Sequence, residues 1–212
     1  CSYIDNLRCI QQHPHEDIVK GKMICTQGAS RNHMKMVVAP SSCTRPPEQW
    51  TKPPQGWVKL NVDGAWREEY GTGGAGMILG DHNGSIIFSS CRFLTTCVSA
   101  LEAEMAACME GITLTLEWST MSFILETDSS VAANMVKEEK ENRSPVAALV
   151  GETKRLLALG REHVILHVSR DLNKVSHYLA QIGHSTSKTA VWLRCGPDEI
   201  GNLCQQDCNN LP

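Results

Sequence analysis

A chain of 212 residues, 42% hydrophobic and 20% charged, can bury one core of ordinary domain size with flanks beside it. No stretch approaches the roughly 18 uninterrupted apolar residues of a membrane-spanning helix, and the first residues lack the apolar core of a signal peptide, so a soluble, intracellular protein without a membrane partner is expected. The net charge is −3, and over residues 57–183 it is −5 (11 Lys and Arg against 16 Asp and Glu), which argues against a broad basic surface able to grip a polyanion unaided.

The chain starts with Cys1 rather than Met, as a fragment or a piece of a longer polyprotein would. Ten cysteines are spread through apolar segments (Cys91, Cys97, Cys108) as well as both ends. Reduced, buried thiols are the expected state. Zinc is the alternative, with Cys9, His13, His15 and Cys25 toward one end and Cys195, Cys204 and Cys208 toward the other. Neither set has the paired spacing of a structural zinc site.

Residues 1–56 show no sustained periodicity and end in a proline-rich stretch, Arg45 to Pro54, which reads as an extended linker. From Trp57 the chain alternates, with Val58, Leu60 and Val62 apolar and Lys59, Asn61 and Asp63 polar, the period of a half-buried strand. The glycines at 73, 74 and 76 fit either a sheet corner or close approach to a nucleic-acid backbone. Asp81-His82-Asn83-Gly84 predicts a hairpin with a type I′ turn, and a third strand covers 85–92.

Ser99-Ala100-Leu101-Glu102 has the form of a capping box that opens a helix to about Glu117. Glu102 and Glu104 both flank its buried stripe, so helix geometry alone does not choose between them as ligands; capping accounts for Glu102. Phe123, Ile124 and Leu125 form a further strand, and Asp128 follows it, where a helix N-cap is the plainest role for an Asp. After the solvated charges of 137–141, Asn142 and Pro145 break the chain before a helix over 146–159. Val164, Ile165 and Leu166 make the last predicted strand. A helix follows, with Leu172, Val175, Leu179 and Ile182 buried and with Asn173 and His177 on a shared face.

Five strings in this order, Lys59-Leu60-Asn61-Val62-Asp63-Gly64-Ala65, Gly73-Gly74-Ala75-Gly76, Ser99-Ala100-Leu101-Glu102-Ala103-Glu104, Thr127-Asp128-Ser129 and the run from His167 through Arg170 and Asn173 to Ala180, resemble the type 1 ribonuclease H fold. The likeness is in particular to the reverse-transcriptase-like ribonuclease H domains of plant genomes. It implies an α/β fold whose mixed five-stranded sheet has three antiparallel strands, then parallel additions, flanked by helices. The implied domain covers 57–184, after a poorly structured flank at 1–56 and before a tail at 185–212.

The resemblance also implies chemistry. Asp63, Glu104 and Asp128 would hold two Mg2+ ions, with Mn2+ as a possible substitute, and Asp63 would bridge them; hard cations ask for such oxygen ligands. The family's catalytic Glu precedes two small residues and a second Glu six positions on, here Ala106, Ala107 and Glu110, which selects Glu104. His167 would assist proton transfer or product release. His177 stands where the family commonly has a fourth carboxylate, a departure that would weaken activity or shift it toward manganese.

The implied reaction is endonucleolytic hydrolysis of the RNA strand of an RNA–DNA hybrid by a monomer, with other domains of a parent polyprotein supplying grip. The alternative is a retrotransposon-derived remnant acting as a nucleic-acid or protein interaction module. A fold used in DNA transposition is a weaker third possibility.

Overall fold

The computed structural model describes residues 50–159, 161–201 and 203, all within the unit Pro47–Pro212. Cys9, His13, His15, Cys25, Cys204 and Cys208, the residues of the zinc alternative apart from Cys195, lie outside the described residues. Among those described, Cys91, Cys97 and Cys108 are free and buried, and Cys195 is free and exposed.

Three antiparallel strands come first: β1 (Trp57–Arg67), β2 (Thr72–Asp81) and β3 (Ile86–Leu94). Helix α1 (Ala100–Trp118) then crosses to β4 (Ser122–Thr127), which pairs parallel with β1. Helices α2 (Ser130–Lys137) and α3 (Ala147–Leu157) lead to β5 (His163–His167), parallel with β4. Helix α4 (Lys174–Ser185) and strand β6 (Ala190–Leu193) follow, and the sheet order is β5-β4-β1-β2-β3-β6. No described helix is long and apolar enough to cross a membrane.

The sixth strand departs from the five expected and carries the sheet past residue 184. It pairs with β3 from Phe88↔Leu193 to Cys91↔Ala190. Ile200 packs beyond it, with Cys91, Val175, Leu179 and Ala190 in one apolar cluster. A strand of only four residues, Ala-Val-Trp-Leu, is too short for periodicity to show.

The alternation along β1 is observed, but both faces are covered. Val58, Leu60 and Val62 are fully buried. At Gly111 of α1 an added Cβ would lie 2.8 Å from Val62 and 3.2 Å from Leu60, which shows how closely that helix sits on this face. The polar face is buried too: Lys59, Asn61 and Asp63 are no more than 4% exposed, beneath α4. Polar side chains survive there because they satisfy one another. Lys59 forms a 2.8 Å ion pair with Glu126 on β4, and Asn61 Nδ2 donates to Glu126 Oε2 at 2.9 Å and to Asn173 Oδ1 at 3.3 Å.

The glycines of β2 make room for helix backbone rather than for a sheet corner. A Cβ on Gly76 would lie 2.0 Å from the Ser176 carbonyl oxygen and 2.3 Å from the Ala180 nitrogen, and one on Gly74 would lie 2.2 Å from the Ala180 oxygen. Bare backbone at these positions lets α4 rest directly on the sheet. Gly76→Ala therefore meets main chain, which cannot swing aside. Chemical denaturation should show a loss of more than about 3 kcal/mol, and a loss below about 1 kcal/mol would contradict this packing.

The hairpin between β2 and β3 forms as predicted, with a different turn. Gly84 has φ +86, whereas Asn83 is not in the left-handed region that a type I′ turn demands of both central residues. The Asp81 carboxylate instead accepts from the Asn83 and Ser85 amides at 2.9 and 2.8 Å, favouring a longer loop in which glycine alone takes positive φ.

Candidate metal centre

Three elements converge at one end of the sheet. Asp63 lies within β1, Glu104 in the first turns of α1, and Asp128 just after β4. One ligand oxygen from each lies within 4.8 Å of the others, a grouping that stands alone among the described His, Cys, Asp and Glu residues.

Local sequence explains each placement. Ser99 caps α1, its hydroxyl accepting from the Glu102 amide at 3.1 Å, while Glu102 Oε2 accepts from the Val98 amide at 2.7 Å. The expected capping box forms with its return bond one residue early, on the Val98 amide rather than that of Ser99; it still occupies Glu102 and leaves Glu104, two residues on, to face β1. Glycine at 64 permits this approach, since a Cβ there would lie 2.3 Å from the Glu104 nitrogen. Asp128 is not the cap that its position suggested. Ser129 caps α2 by accepting from the Ala132 amide at 3.2 Å, so the Asp128 carboxylate is free to turn toward Asp63.

Asp128 is held by two residues of the segment after β5. Arg170 Nε donates to Asp128 Oδ2 at 3.2 Å, and Asn173 Nδ2 donates to Asp128 Oδ1 at 3.3 Å. Both residues belong to the final family-like string, and Asn173 shares a helix face with His177, yet nothing local in the sequence ties either to the acids. Their spacing with His167, at the third and sixth positions after it, was the available signal. Only folding shows that they meet an acid some 40 residues earlier.

His177 contacts one acid of the cluster. Its Nδ1 is 2.9 Å from Asp63 Oδ2, and its Nε2 is 2.9 Å from the Gln181 amide nitrogen. An amide nitrogen can only donate, so Nε2 accepts and Nδ1 carries the hydrogen donated to Asp63. Burial lowers the His177 pKa, as does the Arg170 charge, which keeps the ring neutral. In this arrangement His177 orients Asp63 and offers no lone pair to the cluster. His167 ends β5 opposite Thr127 and is exposed, adjacent in the sheet to the residue before Asp128.

Crowding three acids alters their titration. Burial, then the neighbouring carboxylates, push Asp63 up to about 9; burial and Asp128 push Glu104 up to about 8. Burial also acts to raise Asp128, but hydrogen bonds from Asp63, Arg170 and Asn173 outweigh it and its pKa is lowered. Without a cation, Asp63 and Glu104 therefore hold their protons to higher pH than ordinary carboxylates do.

For Asp63 and Glu104 the folded-state pKa exceeds the ordinary values of 3.8 and 4.5. The folded protein then holds more protons than the unfolded chain between about pH 4 and pH 9, and stability falls as pH rises through that window. The melting temperature of the metal-free protein should decline from pH 5 to pH 9, less steeply in Asp63→Asn. Saturating manganese should flatten the decline. An unchanged slope in Asp63→Asn would contradict the assignment.

The donor set suits a hard divalent cation. All three ligand groups are carboxylates, and Glu104 Oε2 is buried without a hydrogen-bond partner, an orphan acceptor that a cation would satisfy.

Comparison with known proteins agrees with the fold. The chain is 30% identical over 158 residues to an Arabidopsis thaliana protein that carries a provisional ribonuclease H name, a match covering 74% of this chain and 25% of that one. The chain thus spans about a quarter of that relative's length. Ribonuclease H1 of the archaeon Halobacterium salinarum is similar in structure, with a TM-score of 0.55 at 20% identity over 59% of this chain and 96% of that one. A compost-derived ribonuclease H1 solved with an RNA/DNA hybrid gives a TM-score of 0.54 at 16% identity, over 61% and 98%. At such identities the likeness is one of fold. Residues 61–183, more than half of the chain, match the reverse transcriptase-like family, and the chain belongs to that family.

Proposed function

We propose that this domain hydrolyses the RNA strand of RNA–DNA hybrids as a divalent-metal-dependent endonuclease of the ribonuclease H type. The observation that carries the reading is the convergence of Asp63, Glu104 and Asp128, from three elements, with a buried carboxylate oxygen left unpaired among them. The Arabidopsis relative's name and the hybrid-bound compost protein support the same substrate class.

Asp63, Glu104 and Asp128 would hold the cations. Bound there, two Mg2+ ions would activate water on one side of the phosphorus and neutralise the leaving oxygen on the other. Asn173 and Arg170 hold Asp128 in place, while His177 fixes the rotation of Asp63 through its Nδ1–H. His167, exposed at the end of β5, is free to take or deliver a proton near the scissile bond. Selection for RNA rests on contacts to the 2′-hydroxyl.

The test is cleavage of a labelled RNA–DNA hybrid in magnesium and in manganese, beside RNA-duplex and DNA-duplex controls. Cutting of the RNA strand alone, lost with EDTA, is expected. Hybrid binding without cutting in either ion would support the remnant, which His177 beside Asp63 and the acidic balance of the domain favour.

A further inference from the structure

The geometry points to Trp50 as a positioning residue for Asp128: its indole anchors a buried relay of amides, Asn61 to Asn173, that ends on the Asp128 carboxylate. The functional consequence rests on the metal-centre reading above. Trp50 precedes β1 and lies outside the stretch that matches the family, in a segment that the sequence presents as a linker.

Trp50 Nε1 donates to Asn61 Oδ1 at 3.0 Å. An indole nitrogen only donates, so the Asn61 oxygen faces Trp50 and its amide nitrogen faces inward. That nitrogen donates to Glu126 Oε2 at 2.9 Å and to Asn173 Oδ1 at 3.3 Å. The Asn173 oxygen also accepts from Ser176 Oγ at 2.6 Å, which turns its nitrogen the other way, to the Val62 carbonyl at 2.8 Å and Asp128 Oδ1 at 3.3 Å. Donors and acceptors thus run in a single direction from the ring to the carboxylate.

Thr51 secures the same segment. Lys59 Nζ donates to the Thr51 carbonyl at 2.6 Å and lies 3.4 Å from its hydroxyl, beside the ion pair with Glu126, and the ammonium sits 5.1 Å from the Trp50 ring centre. Two of the three acceptors around a buried ammonium therefore come from the residue next to Trp50. The pair Trp50–Thr51 completes the polar layer beneath α4.

Removing the indole donor leaves the Asn61 oxygen buried and unpaired, and rotation of the amide or entry of water to relieve it turns Asn61 away from Asn173. Loss of a group that directly orients a metal ligand typically costs about 10–100-fold in metal affinity. Two links further out, a smaller factor of about three to ten is expected.

Trp50→Phe keeps an aromatic ring beside Lys59 and removes the N–H together with part of the indole's packing, so the readouts are chosen to separate the lost donor from lost stability. The test uses the full chain. Calorimetric titration with manganese should show affinity about three- to tenfold weaker than wild type at a temperature well below unfolding of either protein. In side-chain NMR spectra without metal, the Asn173 amide should shift and exchange faster, while Asn83 and Asn134 stay unchanged. A lower melting temperature with unaltered manganese affinity would reduce Trp50 to a structural contact and overturn the proposal. An unmoved Asn173 amide would overturn it as well. If wild type binds no manganese, the metal-centre reading fails and the positioning role with it, whereas the Asn173 amide still reports whether the relay exists.

Discussion

Glu104→Gln should reduce hybrid cleavage at least about a hundredfold while leaving the metal-free protein as stable as wild type or more so at pH 8 to 9. Removing one of three charged ligands weakens cation binding by at least the factor typical of losing an outer partner, about 10–100-fold, and also removes charge balance in the reaction itself. The stability half follows from titration. Glu104 is pushed up to about 8, so the folded state resists its ionisation, and a neutral amide of the same shape is free of that penalty. Glu102→Gln provides the control. Its side chain accepts from the Val98 amide at the start of α1, a role an amide oxygen can keep, so cleavage should stay near wild type and stability should fall by less than about 1 kcal/mol. Steady-state cleavage and thermal melts on the two variants decide the matter. Severe loss in Glu102→Gln with a mild effect in Glu104→Gln would mean that the wrong helix carboxylate has been assigned.

His177→Asp should shift the metal preference toward magnesium. Neutral imidazole at this position donates to Asp63 Oδ2 and offers the cluster no oxygen. An Asp in the first turn of α4 adds a fourth hard ligand, which magnesium prefers over nitrogen donors. Cleavage at saturating magnesium should therefore rise relative to cleavage at saturating manganese. Without metal, the variant sets a fourth carboxylate against acids already forced to hold protons, and its melting temperature should fall. Saturating metal is needed for the comparison, because added negative charge further weakens association with a polyanionic hybrid. If both ions support slower cleavage in the variant, orientation of Asp63 by the imidazole matters more than an extra ligand, and His177 has its own role.

Most of what the sequence determined here is local. The alternation from Trp57 and the capping pattern at Ser99 are each expressed within about ten residues, and the resemblance carried by five strings in order supplied the fold class and singled out Asp63, Glu104 and Asp128. The strand of Ala190–Leu193 was too short to carry a period, and the hairpin's turn type depended on which of Asn83 and Gly84 took positive φ.

Contacts between distant segments were decided by tertiary structure alone. Gly74 and Gly76 proved to be a seat for α4 because a helix a hundred residues later presses its main chain on them. Lys59 and Asn61 look like the wet side of a strand, yet they are buried, since Glu126, Asn173 and the Trp50–Thr51 segment arrive from three other places to satisfy them. Hydrogen bonds and ion pairs of this kind leave no period in the chain. A polar residue that will be buried and one that will be solvated are written with the same letter, and only the fold supplies the partner that distinguishes them.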